Sequence, residues 1–287
     1  MTIERIAQIK EILEKLYVRY NRKKSIPPDP LQFVYRYTNP VEREIVGLLS
    51  AVLAYGRVQQ IEKSLTNLLA NMGDSPFEFV LNFGAKQHRQ LQGFKHRFTT
   101  GDSISDLLTL LKKILVEHDC IENFFLLGYR KTDANIIPAL SNFCDSLTRM
   151  YAAEHKGQVS RGLKYLLPTP TRRSACKRLN LFLRWMVRND DVDTGLWKSI
   201  DKSKLIVPVD VHMARLSRIL GFHTRKAVCL ATAVKITEGF AKIEPADPVK
   251  FDFALSRIGI LKNCTGRIRE QCVDCELSEF CSRLSDR

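Results

Sequence analysis

Hydrophobic positions recur at helical spacing along most of the chain. Over residues 3–20, Ile9, Ile12, Leu13 and Leu16 fall on one stripe with charged residues between them, which predicts an amphipathic helix. A basic, proline-containing loop, "NRKKSIPPDP", follows. The segment "NPVEREIVGLLSAVLAYG" predicts a strongly apolar helix ending near Gly56, and "VQQIEKSLTNLLANMG" another stopped by Gly73. "SISDLLTLLKKILVEH" predicts a third, opened by serine caps. β-branched alternation is nearly absent, and no Asn-Gly or Asp-Gly pair joins two apolar runs, so an all-α fold is expected.

In the second half, "LLPTPTRRSACKRLNLFLRWMVR" predicts a turn at Pro168–Pro170 and then a helix. Its apolar face is Leu179, Phe182, Leu183 and Met186, with Trp185 also assigned to the core. Opposite them, Arg173, Lys177, Arg184 and Arg188 form a basic stripe. "NDDVDTGLWKSIDKSKLIVP" reads as a connector. "VDVHMARLSRILG" predicts a helix with Asp210 at its N-cap and Gly221 just past its end. "ADPVKFDFALSRIG" predicts the same device, with Asp247 as cap and Pro248 at the first helical position.

Composition narrows the class. The 287 residues are 45% apolar and 26% charged, as in a globular protein with one large domain or two smaller ones. The longest uncharged run, between Glu44 and Arg57, is too short to span a bilayer, and the charged N-terminus lacks a signal-peptide core. A cytoplasmic, reducing location is expected, where clustered cysteines serve as metal ligands more readily than as disulfides. A net charge of +14 suits a polyanionic partner such as nucleic acid, or simply a basic surface.

Four of the eight cysteines crowd one segment as C-x7-C-x2-C-x5-C: Cys264, Cys272, Cys275 and Cys281. Four thiolates suit zinc or an iron–sulfur cluster. A structural zinc usually pairs two C-x2-C knuckles and this segment has one, which favours a cubane cluster. Cys120, Cys144, Cys176 and Cys229 are scattered and read as ordinary buried residues.

The cysteine segment resembles the C-terminal loop of the endonuclease III branch of the helix-hairpin-helix DNA glycosylase superfamily, which carries a [4Fe-4S] cluster on C-x6-C-x2-C-x5-C. The segment "PVDVH" at 208–212 is similar to the V-D-[TV]-H motif that opens a helix in the same superfamily. The resemblance implies a two-lobed all-α fold. Residues 1–39 would pack with a C-terminal lobe over 205–287, and residues 40–204 would form a helical barrel holding a divergent hairpin near 163–188.

It further implies that Asp210 assists base departure and stabilises the developing sugar cation, a role compatible with its position as an N-cap. The family's hairpin, L-P-G-V-G-R-K, has "LPTPTRR" at 167–173 as its nearest counterpart. Both glycines are missing, and an ungapped match puts Arg173 where the Schiff-base lysine belongs. Lys177, one turn later, is the candidate nucleophile, against the alternative of a solvated basic face or a phosphate contact. Arg172, Arg173, Arg267 and Arg269 are the implied DNA contacts. Tyr55, Arg57 and Gln59 are the implied lining of a pocket for the extruded base. "GFKHRFTTGD" at 93–102 is either a DNA-facing loop or a solvated turn.

The expectation is a monomeric, nucleoid-associated enzyme from a bacterial branch near the archaeal 8-oxoguanine glycosylases. It would excise an oxidised purine such as 8-oxoguanine from double-stranded DNA, with optional AP-lyase activity. The alternative is a duplex-binding protein that keeps the scaffold and the four-cysteine centre, with iron–sulfur or zinc, but not the catalysis.

Overall fold

α1 (Ile3–Tyr20) buries the stripe Ile9, Leu13 and Leu16 and is capped by Thr2, whose hydroxyl accepts from the Arg5 amide. The computed structural model describes residues 1–261, 264 and 270–281. After α1 a short 3₁₀ segment, Pro30–Arg36, leads to α2 (Pro40–Val52), opened by the Asn39 side chain and by Pro40 at the first helical position. Every residue of α2 from Glu44 onward is buried, so a helix apolar on nearly all sides becomes the central rod of the molecule. α3 (Val58–Met72), α4 (Pro76–Leu81) and α5 (Ala85–Leu91) follow. Next come α6 (Gly101–His118), α7 (Ile121–Leu126) and α8 (Ile137–Glu154), then α9 (Arg161–Leu166) and α10 (Lys177–Val187). α11 (Val211–Ile219), α12 (Leu230–Ala241) and α13 (Asp252–Leu261) complete the set.

The architecture is mostly helical, as the periodicity predicts. α2 packs against α10 and the 3₁₀ segment; α1 packs against α13, which also receives α11. At the α2–α10 crossing Gly47 permits close approach, since a Cβ there would meet Met186 Cε at 2.9 Å. Leu179, Phe182, Leu183, Trp185 and Met186 of α10 are all buried in the core, as expected.

Several local expectations are corrected. The tract 93–102 holds a two-stranded antiparallel hairpin, β1 (Lys95–His96) and β2 (Thr99–Thr100), where the sequence predicts no strand. Its His96 is buried, with Nδ1 at 2.9 Å from Ser64 Oγ and Nε2 at 3.0 Å from the Tyr55 carbonyl. α6 is opened by Thr100, and Ser103 completes a capping box from inside the helix. α13 begins at Asp252, five residues after Asp247. Asp247 is not a cap, because its carboxylate is taken by Arg188 at 3.0 Å.

Arg184 and Arg188 are not part of a solvated stripe. Both are buried, and the supposed connector after α10 supplies two of their partners, Asp190 and Asp193. Arg184 pairs with Asp193 at 3.2 Å and with Asp252; Arg188 pairs with Asp190 at 2.8 Å, with Asp193 and with Asp247. Buried guanidiniums survive only when paired in this way. Burial alone would push the Arg184 pKa down, and the surrounding carboxylates reverse that and hold it up.

Glu44 of α2 is the second buried polar junction. Its carboxyl accepts from the amides of Ile121 (2.7 Å) and Glu122 (3.3 Å), which start α7, and from Trp197 Nε1 at 2.5 Å. Burial pushes its pKa up to about 7, against the opposing pull of these donors.

Candidate active site

The buried strand-like segment Leu205–Val209 delivers Asp210 to the start of α11, anchored by the Val207 amide donating to Thr237 Oγ1 at 3.0 Å. Asp210 is the N-cap, as predicted: Oδ1 accepts from the amides of His212 and Met213, each at 2.9 Å. The cap uses Oδ1 alone, so α11 fixes the carboxylate in place without needing both oxygens. The exposed amides of the first turn put positive potential beside this negative side chain.

Lys177 is the first residue of α10. The chain reaches it through two non-glycine residues in the left-handed region, Arg173 (φ 60°) and Cys176 (φ 47°). This is how a turn without the family's hairpin glycines is made. Cys176 Sγ, next to Lys177, donates to the Pro168 carbonyl at 3.1 Å. Lys177 Nζ donates to the Ala54 carbonyl at 3.3 Å, and Arg178 Nη1 to the Val52 carbonyl at 2.5 Å. Two cations from the start of α10 thus satisfy carbonyls left open at the end of α2.

Lys177 and Asp210, 33 positions apart, line one cavity of about 550 Å³. Among the described residues neither forms an ion pair with a protein group. Asp252 of α13 joins them in the lining. Burial raises its pKa, the Arg184 guanidinium opposes that, and Asp210 raises and Lys177 lowers it in turn. Asp252 therefore lies within electrostatic reach of both Asp210 and Lys177.

One wall of the cavity is Tyr55, at the turn after α2. Its hydroxyl donates to the His96 carbonyl at 2.7 Å and lies 2.8 Å from Thr99 Oγ1, while its ring packs edge-on against His96 and Tyr165. Arg178 lies over both tyrosines, its guanidinium carbon 5.1 Å from the Tyr55 centroid and 4.7 Å from that of Tyr165. Tyr55 is a rigid wall whose hydroxyl is occupied. Gly56 beside it has φ +98°, and a Cβ there would lie 2.8 Å from Arg97 Cδ of the β-hairpin, so only glycine fits.

The other predicted positions separate. Arg57 and Gln59 are exposed at the start of α3 and do not line the cavity. Arg172 and Arg173 are exposed on the turn before α10. Arg267 and Arg269 lie outside the described residues. Residues that sequence reasoning missed line the cavity: Asp29, Arg178, Arg184, Asp252 and Arg257. Arg184 carries a readable signal, since it interrupts an apolar run between Leu183 and Trp185.

The four cysteines of the C-terminal segment are half-buried. Cys264 and Cys275 pack against the hydrophobic core, and α1 holds the loop through Arg19 (3.1 Å) and Tyr20 (3.2 Å) on Glu276. Burial raises the Cys275 thiol pKa, the Leu277 amide opposes that, and Glu276, Cys264 and Cys272 add to the rise. The donor set thus suits a thiolate-held metal centre in its chemistry. Among the described residues no three donors converge on a single point.

A mostly helical protein with a carboxylate and a lysine lining one cavity is the class these observations define. The chain belongs to the family described as "Protein of unknown function (DUF2400)", whose family model matches residues 29–261. The matched span includes every residue lining the cavity except Pro28, and the four clustered cysteines lie beyond it. No curated protein and no solved structure matches the chain. Among the described residues no helix is long and apolar enough to cross a membrane.

Proposed function

We propose that the protein is a DNA N-glycosylase that excises an oxidised purine, such as 8-oxoguanine, from double-stranded DNA, with a Schiff-base AP-lyase step. The observation that carries this reading is the shared cavity of Asp210 and Lys177. The net charge of +14 supports a nucleic-acid partner.

In this mechanism the damaged base is rotated out of the stack into the cavity against the Tyr55 wall. The bond between base and sugar breaks with its electron pair leaving on the base, and the Asp210 carboxylate stabilises the positive charge that grows on the sugar. Lys177 Nζ, once one of its protons has passed to the departing base, forms the new bond to C1′ and then gives up a second proton, and opening of the sugar yields the imine. Its hydrogen bond to the Ala54 carbonyl orients the amine. Cys264, Cys272, Cys275 and Cys281 would hold a [4Fe-4S] cluster, or zinc as the alternative, which would pin the C-terminal loop.

The deciding experiment is single-turnover release of the base from duplexes carrying 8-oxoguanine and other lesions. Duplex binding with no base released at high enzyme excess would instead establish the non-catalytic reading, which the missing hairpin glycines favour. For the metal centre, purified protein is expected to be coloured and to contain iron and acid-labile sulfide. Colourless protein with one zinc per chain selects the alternative.

A further inference from the structure

We propose that the tip of the β-hairpin and α9 form a stacking ledge for unpaired bases of a single nucleic-acid strand, with Phe98 and Tyr165 as the stacking rings. This deepens the glycosylase reading and rests on it for the role of the cavity: the strand that feeds it is unpaired beside the lesion.

Arg97 and Phe98 form the turn between β1 and β2, and Phe98 is 69% exposed there. Tyr165 belongs to α9, which packs on β2, and is 37% exposed. The rings make a ladder to the cavity. Phe98 meets Tyr165 edge-on with centroids 5.9 Å apart, and Tyr165 meets the cavity wall Tyr55 at 5.2 Å. Two guanidiniums brace it: Arg97 lies over the Phe98 ring at 5.5 Å, and Arg178 lies over the Tyr165 ring and donates to the Tyr165 carbonyl. Arg97 takes φ 52°, a left-handed conformation that costs a non-glycine residue free energy. Lys95 and Arg97 on the hairpin and Arg161 and Lys164 on α9 are exposed, and none forms an ion pair among the described residues. The carboxylates at the start of α6 are engaged elsewhere, Asp102 at 3.0 Å from His88 Nε2 and Asp106 at 2.7 Å from the Ser160 hydroxyl.

An aromatic ring left in water at a hairpin tip adds nothing to the core, and four unpaired cations beside it repel one another. A polyanion carrying flat apolar groups answers both at once: its phosphates meet the cations and its bases cover the rings. A base inside a duplex has both faces covered by its neighbours, so only an unpaired base has a face to lay on Phe98. The ladder ends at Tyr55, which places a base stacked on the ledge and a base held in the cavity on the same strand. Stacking carries no hydrogen-bond readout, so the ledge accepts any base and leaves the choice of lesion to the cavity.

The test measures binding of the full chain, by fluorescence anisotropy, to three labelled probes of about twelve nucleotides: single-stranded oligothymidylate, a fully paired duplex, and a single strand with tetrahydrofuran in place of every nucleoside. The last has the same phosphates and no bases. Oligothymidylate is expected to bind more tightly than the base-free strand. Phe98→Ala should weaken oligothymidylate about tenfold or more and leave the base-free strand and the duplex unchanged, and Phe98→Trp should restore the loss. Lys164→Gln should weaken both single strands and reduce the salt slope by about 0.7. Circular dichroism checks each fold, and the comparison of oligothymidylate with the base-free strand in the wild type needs no variant. No binding of oligothymidylate at about 100 μM, equal affinity for the base-free strand, or an unchanged affinity in folded Phe98→Ala would each overturn the proposal. So would an equal loss on the paired duplex, the mark of contact with a stacked helix. Failure to release any base with the Phe98 dependence intact removes the glycosylase reading alone; base release with binding indifferent to Phe98 removes this proposal alone.

Discussion

Lys177 Nζ donates to the carbonyl of Ala54 across 3.3 Å, tying the first residue of α10 to the chain just past the end of α2. The amine thus has a fixed place at the cavity wall without being consumed in an ion pair among the described residues. Borohydride should trap a covalent adduct between the protein and a lesion-bearing duplex. Lys177→Arg keeps a donor for Ala54 but cannot form an imine, and is expected to stay folded and give no adduct on denaturing gels. An adduct that persists in Lys177→Arg would place the nucleophile elsewhere.

Asp210 carries a structural duty and a proposed chemical one, and these can be separated. Asparagine caps helices about as well as aspartate, so Asp210→Asn should change unfolding free energy by only about a few tenths of a kcal/mol. Its base-release rate should fall by roughly a hundredfold or more, because the charge opposite the developing cation is gone. Asp210→Ala loses the cap as well and should be about 1 kcal/mol less stable. Rates that track stability across the two variants would reduce Asp210 to a cap.

Glu44 predicts a pH dependence of stability. Its folded pKa, raised to about 7 by burial, lies above the ordinary value of 4.5. Folding therefore takes up a proton between those limits. The associated stability is whole below pH 4.5 and is lost as the pH rises through about 7, amounting to roughly 3 kcal/mol. Glu44→Gln should be less stable overall, because an amide cannot accept from Ile121, Glu122 and Trp197 together. It should also lack this slope. Urea unfolding of both proteins from about pH 4.5 to about pH 7.5 checks it, and parallel profiles would refute it.

The buried arginine–aspartate network makes a stability prediction independent of function. Arg188→Met leaves Asp190, Asp193 and Asp247 without their shared cation. The expected cost is about 3–5 kcal/mol, read from the shift of the denaturant midpoint. A loss under about 1 kcal/mol would mean that the carboxylates find other partners.

What is legible in the sequence, and what is not, follows from the range of each interaction. α11 can be read with its ends because cap, apolar stripe and stop signal all lie within one short segment, and α1 by its apolar stripe. The start of α13 is misread because Asp247 carries a cap's chemistry but is claimed by Arg188, 59 positions away. The basic stripe on α10 fails for the same reason. Charge at helical spacing looks the same whether the partner is water or a distant carboxylate. The hairpin at 95–100 escapes notice since each strand has only two residues, too few to alternate. In the cavity, Asp210 and Lys177 stand out by motif, whereas Arg257, Asp252 and Asp29 gain meaning only when α13 and the loop before α2 are brought together.

The contacts of α1 join segments far apart in the chain. Glu14 pairs with Lys250 at 2.6 Å, and Arg19 with Glu276 at 3.1 Å, across 236 and 257 positions of sequence. Pairing over such a separation is slow to form, because the entropy of closing the intervening loop is met before the contact returns anything, and until then the apolar stripe of α1 stays uncovered.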